Sequence, residues 1–273
     1  MIMQKRLGQA ILKTMQYFSL FDYIPTQDEI YTYVSFKCTK QDITAKLSDI
    51  SYQKRPINNT GGGIDTRHRN AKVRISQAKI SSIKLFIFLL SLCPWIKLVG
   101  LSGSCSMLNA KEGDDIDIFI ISAPGGIWLS RATAILIAKS LKKHRGRKSR
   151  FIRNKICLNL FFDEGNLTVP EEKRNLYVAH EVVQMRPLYM RGGVYDRYLF
   201  ANKWVRHYFP NLAISHVDLA VEGPTLITRI LEAITRVVQL RLMSRISKER
   251  VSNEQLWFFP RDYQKKIEKH IAI

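Results

Sequence analysis

Two apolar runs separated by a small-residue turn constrain this chain most. Leu98-Val99-Gly100-Leu101 leads into Ser102-Gly103-Ser104, and after a spacer the chain returns as Asp114-Asp115-Ile116-Asp117-Ile118-Phe119-Ile120-Ile121. Residues i and i+2 of an extended strand share a face, so Asp115 and Asp117 stand side by side. Carboxylates that close raise each other's pKa unless a cation lies between them. Ile116, Ile118, Ile120 and Ile121 commit the same strand to a core. Hard oxygen donors of this kind suit Mg²⁺, which completes its shell with water and substrate phosphates.

The flanking sequence predicts an α/β core around a small mixed sheet. Ile96–Leu101 reads as one strand, 115–121 as the next and 155–163 as a third, with helical spacing over 127–141 between the last two. Pro94 ends the apolar helix before the first strand, and 123–126 is a turn. Upstream, residues 4–50 read as three short helices. Leu7, Ile11, Met15 and Phe18 form one stripe, Thr26-Gln27-Asp28-Glu29 has the form of a capping box, and Thr39-Lys40-Gln41-Asp42 opens the third helix. A hairpin over 57–64 would complete a winged-helix-like module, which has a partner-docking or structural reading as well as a DNA-reading one.

Downstream of Leu176 the expectation is helical. Helices fall over 177–185 and 194–208, and a long amphipathic one begins near Pro224 with Ile227, Ile230, Leu231, Ile234, Val237 and Val238 on its buried side. Three regions follow: a winged-helix-like module over 1–66, the α/β core over 67–170 and a helical C-terminal region over 171–273.

The chain of 273 residues carries a net charge of +20. Such a balance favours nucleic acid, anionic lipid surfaces or phosphorylated ligands as partners. Lys139, Lys142, Lys143, Arg145, Arg147, Lys148, Arg150, Arg153 and Lys155 form an acid-free segment that can hold a nucleic-acid acceptor, grip a triphosphate, or stay solvated. Cys38, Cys93, Cys105 and Cys157 form no CxxC pair and, with scattered histidines, no zinc pattern. Cys93 and Cys157 read as small core residues. No secretory signal or membrane-spanning stretch is visible, so a cytoplasmic protein is expected. His180-Glu181 lacks the second histidine of a zinc protease.

Gly103 lets the backbone turn sharply and approach a ligand, and Ser104 offers a hydroxyl and an N–H to a phosphate oxygen. Gly103-Ser104, ten intervening residues and Asp115-Ile116-Asp117 resemble the signature of the DNA polymerase β-like nucleotidyltransferase superfamily. The resemblance implies a small mixed sheet with flanking helices and two Mg²⁺ ions. It also implies a nucleoside triphosphate whose nucleoside monophosphate is transferred to a hydroxyl. By that similarity Asp115 and Asp117 are metal ligands, and Gly103 and Ser104 bind the triphosphate. The family adds a third carboxylate on a later strand; Asp163 or Asn159 would occupy that place, and Asn159 cannot serve as a base. Asp114 is expected to face away from the pair. The sequence leaves the acceptor open among antibiotic, sugar, protein hydroxyl and RNA end. The competing class is a nucleic-acid-binding regulatory protein on a degenerate scaffold.

Overall fold

The computed structural model describes residues 2–53, 66–146, 149–218, 220–221, 223–243, 254–258 and 263–270. The expected hairpin over 57–64 lies outside them. Helices α1 (Ile2–Ser19), α2 (Gln27–Tyr33) and α3 (Lys40–Gln53) come first, as the periodicity predicts. Leu7 and Ile11 of α1 bury against Ile30, Val34 and Ile43. The capping box forms: the Thr26 N–H donates to Glu29 Oε2 at 2.6 Å, and the Glu29 N–H donates to Thr26 Oγ1 at 3.2 Å. Thr39 and Asp42 repeat the device at α3.

The basic and apolar segment that follows is two helices, α4 (Thr66–Ser82) and α5 (Lys84–Ser91). The chain then runs β1 (Ile96–Leu101), α6 (Gly103–Ser106), β2 (Ile116–Ser122), α7 (Ile127–Ser140), β3 (Ile156–Asp163), α8 (Leu176–Gln184), β4 (Arg186–Met190), α9 (Val194–Ala201), α10 (Leu226–Leu242), β5 (Gln255–Trp257) and α11 (Tyr263–His270). The five strands form one mixed sheet in the order β4-β1-β2-β3-β5. Among the described strands only β2 and β3 run parallel, joined through α7, as a parallel connection requires.

Helices cover both sheet faces, which is why its central strands read as continuous apolar runs. Ile116, Ile118 and Ile120 point into one core with Val99, Phe161 and Phe86. Phe119 and Ile121 alternate to the other side with Phe162, Val182 and Tyr198. Tyr17, Phe18, Tyr23 and Tyr33 belong to that second core, so the N-terminal helices pack directly on the sheet and its α8–α9 cover. Parity therefore turns Asp117 towards α1 and α8.

Three expectations for the C-terminal region need correction. It is not wholly helical, because β4 and β5 supply both edges of the sheet. Both are short, and Pro187, which cannot donate, sits in an edge strand where the missing N–H costs little. The helix expected over 194–208 breaks at Asn202. Its buried side chain accepts from the Val169 N–H at 2.8 Å and donates to the Leu167 carbonyl at 2.8 Å, tying down a neighbouring loop.

The third correction concerns α10, whose apolar row faces outward: Ile227 is 71 % exposed, Ile234 56 % and Val238 51 %. Its polar side sits on α7 instead. The Glu232 carboxylate accepts from the Trp128 and Leu129 N–H groups at 2.9 and 2.8 Å, and Gln239 Nε2 donates to the Trp128 carbonyl at 2.7 Å. The first N–H groups of α7 have no intrahelical acceptor, and Glu232 supplies one together with a favourable charge. Among the described residues no helix is long and apolar enough to cross a membrane.

Candidate functional site

The site is built where β1 leaves the sheet beside the start of β2. The Ser102 N–H still donates to the Asp117 carbonyl at 3.1 Å, and the chain then reverses at Gly103 with φ +60°. A Cβ at Gly103 would lie 2.7 Å from Asp117 Oδ2, so glycine is required both for the left-handed backbone and for the close approach. The single turn α6 follows. Asp114 then fastens the loop, accepting from Ser104 Oγ at 3.2 Å and the Lys111 N–H at 2.8 Å. It faces the turn rather than away, because it precedes the regular strand and strand parity does not yet apply to it.

Behind this loop stands Lys79, buried on α4. Its Nζ donates to the Glu112 carbonyl at 3.0 Å, the Asp114 carbonyl at 2.6 Å and Asn154 Oδ1 at 2.9 Å. Burial lowers its pKa, and nearby Cys105 and Asp114 oppose that shift. Three acceptors around one ammonium fix the entry to β2, and with it the acidic pair.

Asp115, Asp117 and Cys157 bring one potential ligand atom each within 4.8 Å of one another. Cys157 is the strand partner of Asp117 across the parallel β2–β3 ladder. Asn159, two residues on, donates Nδ2 to Asp117 Oδ1 at 2.9 Å. Its own Oδ1 is buried without a hydrogen-bond partner among the described residues, as is Ser102 Oγ. Arg145 pairs with Asp115 Oδ2 and also lies 3.5 Å from Cys157 Sγ. Burial, then the neighbouring charges of Asp115 and Glu181, pushes Asp117 up to about 7. Burial, then the Asp117 and Asp115 carboxylates, pushes the Cys157 thiol up as well.

Glu181 closes the site from α8. Its buried carboxyl is pushed up to about 7 by burial, moderated by hydrogen bonds from Tyr177 and the Gly103 N–H. His180 beside it is core, stacked 3.7 Å from the Tyr17 ring. A cavity of ≈ 970 Å³ opens over the acidic pair. Ser102, Gly103, Ser104, Asp115, Asp117 and Asn159 all line it. Tyr17, Phe21, Tyr23 and Tyr177 give it an aromatic wall, and Lys111, Arg131 and Arg145 bring positive charge.

Asp163 does not belong here. It pairs with Ser122 at the far end of β2, five positions from Asp117, or roughly 16 Å at strand rise. Its carboxylate accepts from the Gly125 N–H at 2.6 Å and the Gly165 N–H at 2.8 Å and holds two turns. Burial raises it to about 6, with those N–H groups opposing. Of the two residues expected to follow the acidic pair, only Asn159 reaches the site. Cys157, read from sequence as a core residue, is there instead. Glu181, Lys79, Tyr17, Phe21 and Tyr23 were not read from the sequence as parts of a site; the first three sit at ordinary helix-packing spacing, and Phe21 and Tyr23 lie in the turn after α1.

A divalent cation fits this donor set. Burial and the neighbouring Asp115 charge raise the Asp117 carboxyl, and a buried amide oxygen lacks a partner among the described residues. Part of the basic segment turns inward: Arg145 meets Asp115, and Lys155 Nζ donates to the Lys142 carbonyl at 2.6 Å. Arg150 and Arg153 are exposed. No family model matches this chain, and neither a curated protein nor a solved structure matches it.

Proposed function

We propose that the chain is a Mg²⁺-dependent nucleotidyltransferase, moving a nucleoside monophosphate from a nucleoside triphosphate to a hydroxyl of an acceptor. The observation that carries this reading is the closeness of the Gly103 turn to Asp117: only a bare backbone fits there. A phosphate-sized group bound at that turn would meet the acidic pair directly.

In this reading Asp115 and Asp117 hold up to two Mg²⁺ ions, which would neutralise charge on the transferring phosphoryl group. The Gly103–Ser104 backbone and the Ser104 hydroxyl bind phosphate oxygens, with Lys111 as a further cation on the cavity wall. Arg145, paired with Asp115, would be free to meet the triphosphate once a cation held that carboxylate. Tyr17, Phe21, Tyr23 and Tyr177 offer ring faces on which a nucleobase can stack. The strand position beside Asp117 holds a thiol and then an amide, neither of them a base at neutral pH. Catalysis therefore rests on in-line positioning and electrostatics more than on proton abstraction.

The sheet with its β2-α7-β3 crossover is compatible with the nucleotidyltransferase core that the motif resembles, and α1–α3 with its winged-helix-like partner. An inactive scaffold carrying a DNA-reading module has less support, because Tyr17, Phe21 and Tyr23 serve the cavity itself. The exposed Arg150 and Arg153 make a nucleic-acid end one acceptor to try.

The test is to incubate the protein with each nucleoside triphosphate labelled at the α-phosphate, Mg²⁺ and cell extract. Label should pass to one acceptor class with the parent protein and to none with Asp115→Ala/Asp117→Ala. Transfer by the double variant at the parent's rate would overturn the assignment.

A further inference from the structure

The structure leaves α10 with a continuous apolar row directed away from the protein. Leu226, Ile230, Ile234, Val237 and Val238 are each about half exposed or more. Positions 228, 232, 235 and 239 recur at helical spacing and face α7, so the polar side of the helix is the seated one. Soluble chains seldom expose so long a row without something to cover it. The helices in contact continue the theme: α7 exposes Leu136, and α5, which also packs on α7, exposes Phe88.

Charge decides what covers the row. Glu232 is the sole acid of α10 and is turned to α7, whereas Arg229, Arg236 and Arg241 are exposed. Arg229 and Arg241 stand near the two ends of the apolar row. The whole chain carries +20. Two copies meeting through this face would bring like charges together, whereas an anionic surface would be attracted. No described helix can cross a bilayer, and an amphipathic helix with arginines beside its apolar stripe suits the interfacial plane instead.

We propose that α10 docks the protein on an anionic lipid surface. The apolar row enters the headgroup–acyl boundary, Arg229 and Arg241 meet lipid phosphates, and α7 holds the helix by its polar side. The acidic pair and its cavity are not part of this surface, so the proposal stands or falls independently of nucleotidyl transfer.

Co-sedimentation of the full chain with vesicles tests it, using phosphatidylcholine alone and phosphatidylcholine mixed with phosphatidylglycerol. Binding is expected to the mixed vesicles, weakened by salt. The Ile230→Ser/Ile234→Ser/Val238→Ser variant should partition about tenfold less or weaker still, since three apolar side chains no longer enter the interface. Because these side chains are exposed, its thermal melt should match the parent's. A second variant, Arg229→Gln/Arg241→Gln, keeps the apolar row and should lose the preference for the anionic vesicles. Equal binding by parent and triple variant would overturn the proposal. So would absence of vesicle binding together with a parental dimer that the triple variant turns into a monomer, which would assign the face to a second copy.

Discussion

Asn159 donates its side-chain N–H to Asp117 Oδ1 at 2.9 Å while its own Oδ1 is buried without a partner among the described residues. An orphaned amide oxygen costs about 1–3 kcal/mol. Beside it, Asp117 is pushed up to about 7, with the Asp115 charge among the causes. Both penalties fall if a cation binds. Asp117→Asn should therefore raise the melting temperature of the cation-free protein and abolish its stabilisation by divalent ions. A scanning-calorimetry series with and without Mg²⁺ checks both halves.

Gly103→Ala is expected to destabilise by about 1–3 kcal/mol, because its φ of +60° is left-handed and the new Cβ would approach Asp117 Oδ2. Equilibrium denaturation measures the loss. Triphosphate binding should fall further than stability alone explains, since the same methyl group intrudes on the proposed phosphate turn.

Removing the Lys79 ammonium leaves two carbonyls and an amide oxygen without their donor. Lys79→Met should cost about 2–3 kcal/mol in urea unfolding. It should also weaken divalent-ion binding, although Lys79 contacts no proposed ligand atom, because the 111–115 loop carries Asp115.

A thiol beside two carboxylates alters which ion the site prefers. Mn²⁺ and Cd²⁺ should bind the parent more tightly relative to Mg²⁺ than they bind Cys157→Asp, whose third donor is a hard oxygen. Competition titrations of the two proteins give the ratio, and the absence of any change would remove Cys157 from the coordination set.

Glu181 gives a pH signature. Its folded-state carboxyl sits at about 7 against an ordinary 4.5. Between those values the folded state holds a proton that the unfolded chain has released, so this group's contribution to stability is lost as pH rises from about 4.5 to 7. Glu181→Gln cannot titrate, and its stability should decline less across that window than the parent's in denaturant melts.

Much of the scaffold was legible in the sequence. The bounds of β1, the helical spacing of α7 and the capping box at Thr26 follow from local patterns, and all three form as expected. The Gly103 turn and the Asp115–Asp117 pair come together for the same reason: one short connection joins adjacent strands. What escaped was information held between elements. Strand parity put Asn159 and Asp163 on one face, but the β2–β3 register shifts between Ile118 and Phe119, carries Asp163 to the far end opposite Ser122 and brings Cys157 opposite Asp117. The apolar stripe of α10 read as buried because the need for an acceptor at the start of α7, which Glu232 meets, leaves no periodic trace. Glu181 reaches the site only through the folding of α8 across Gly103.

The most direct measurement of the central claim is calorimetric titration of the full chain with nucleoside triphosphates, in Mg²⁺ and then in chelator, alongside Asp115→Asn/Asp117→Asn. Binding that requires the cation in the parent and disappears in the double variant is the expected result. Binding of equal strength in chelator, or in the double variant, would contradict it.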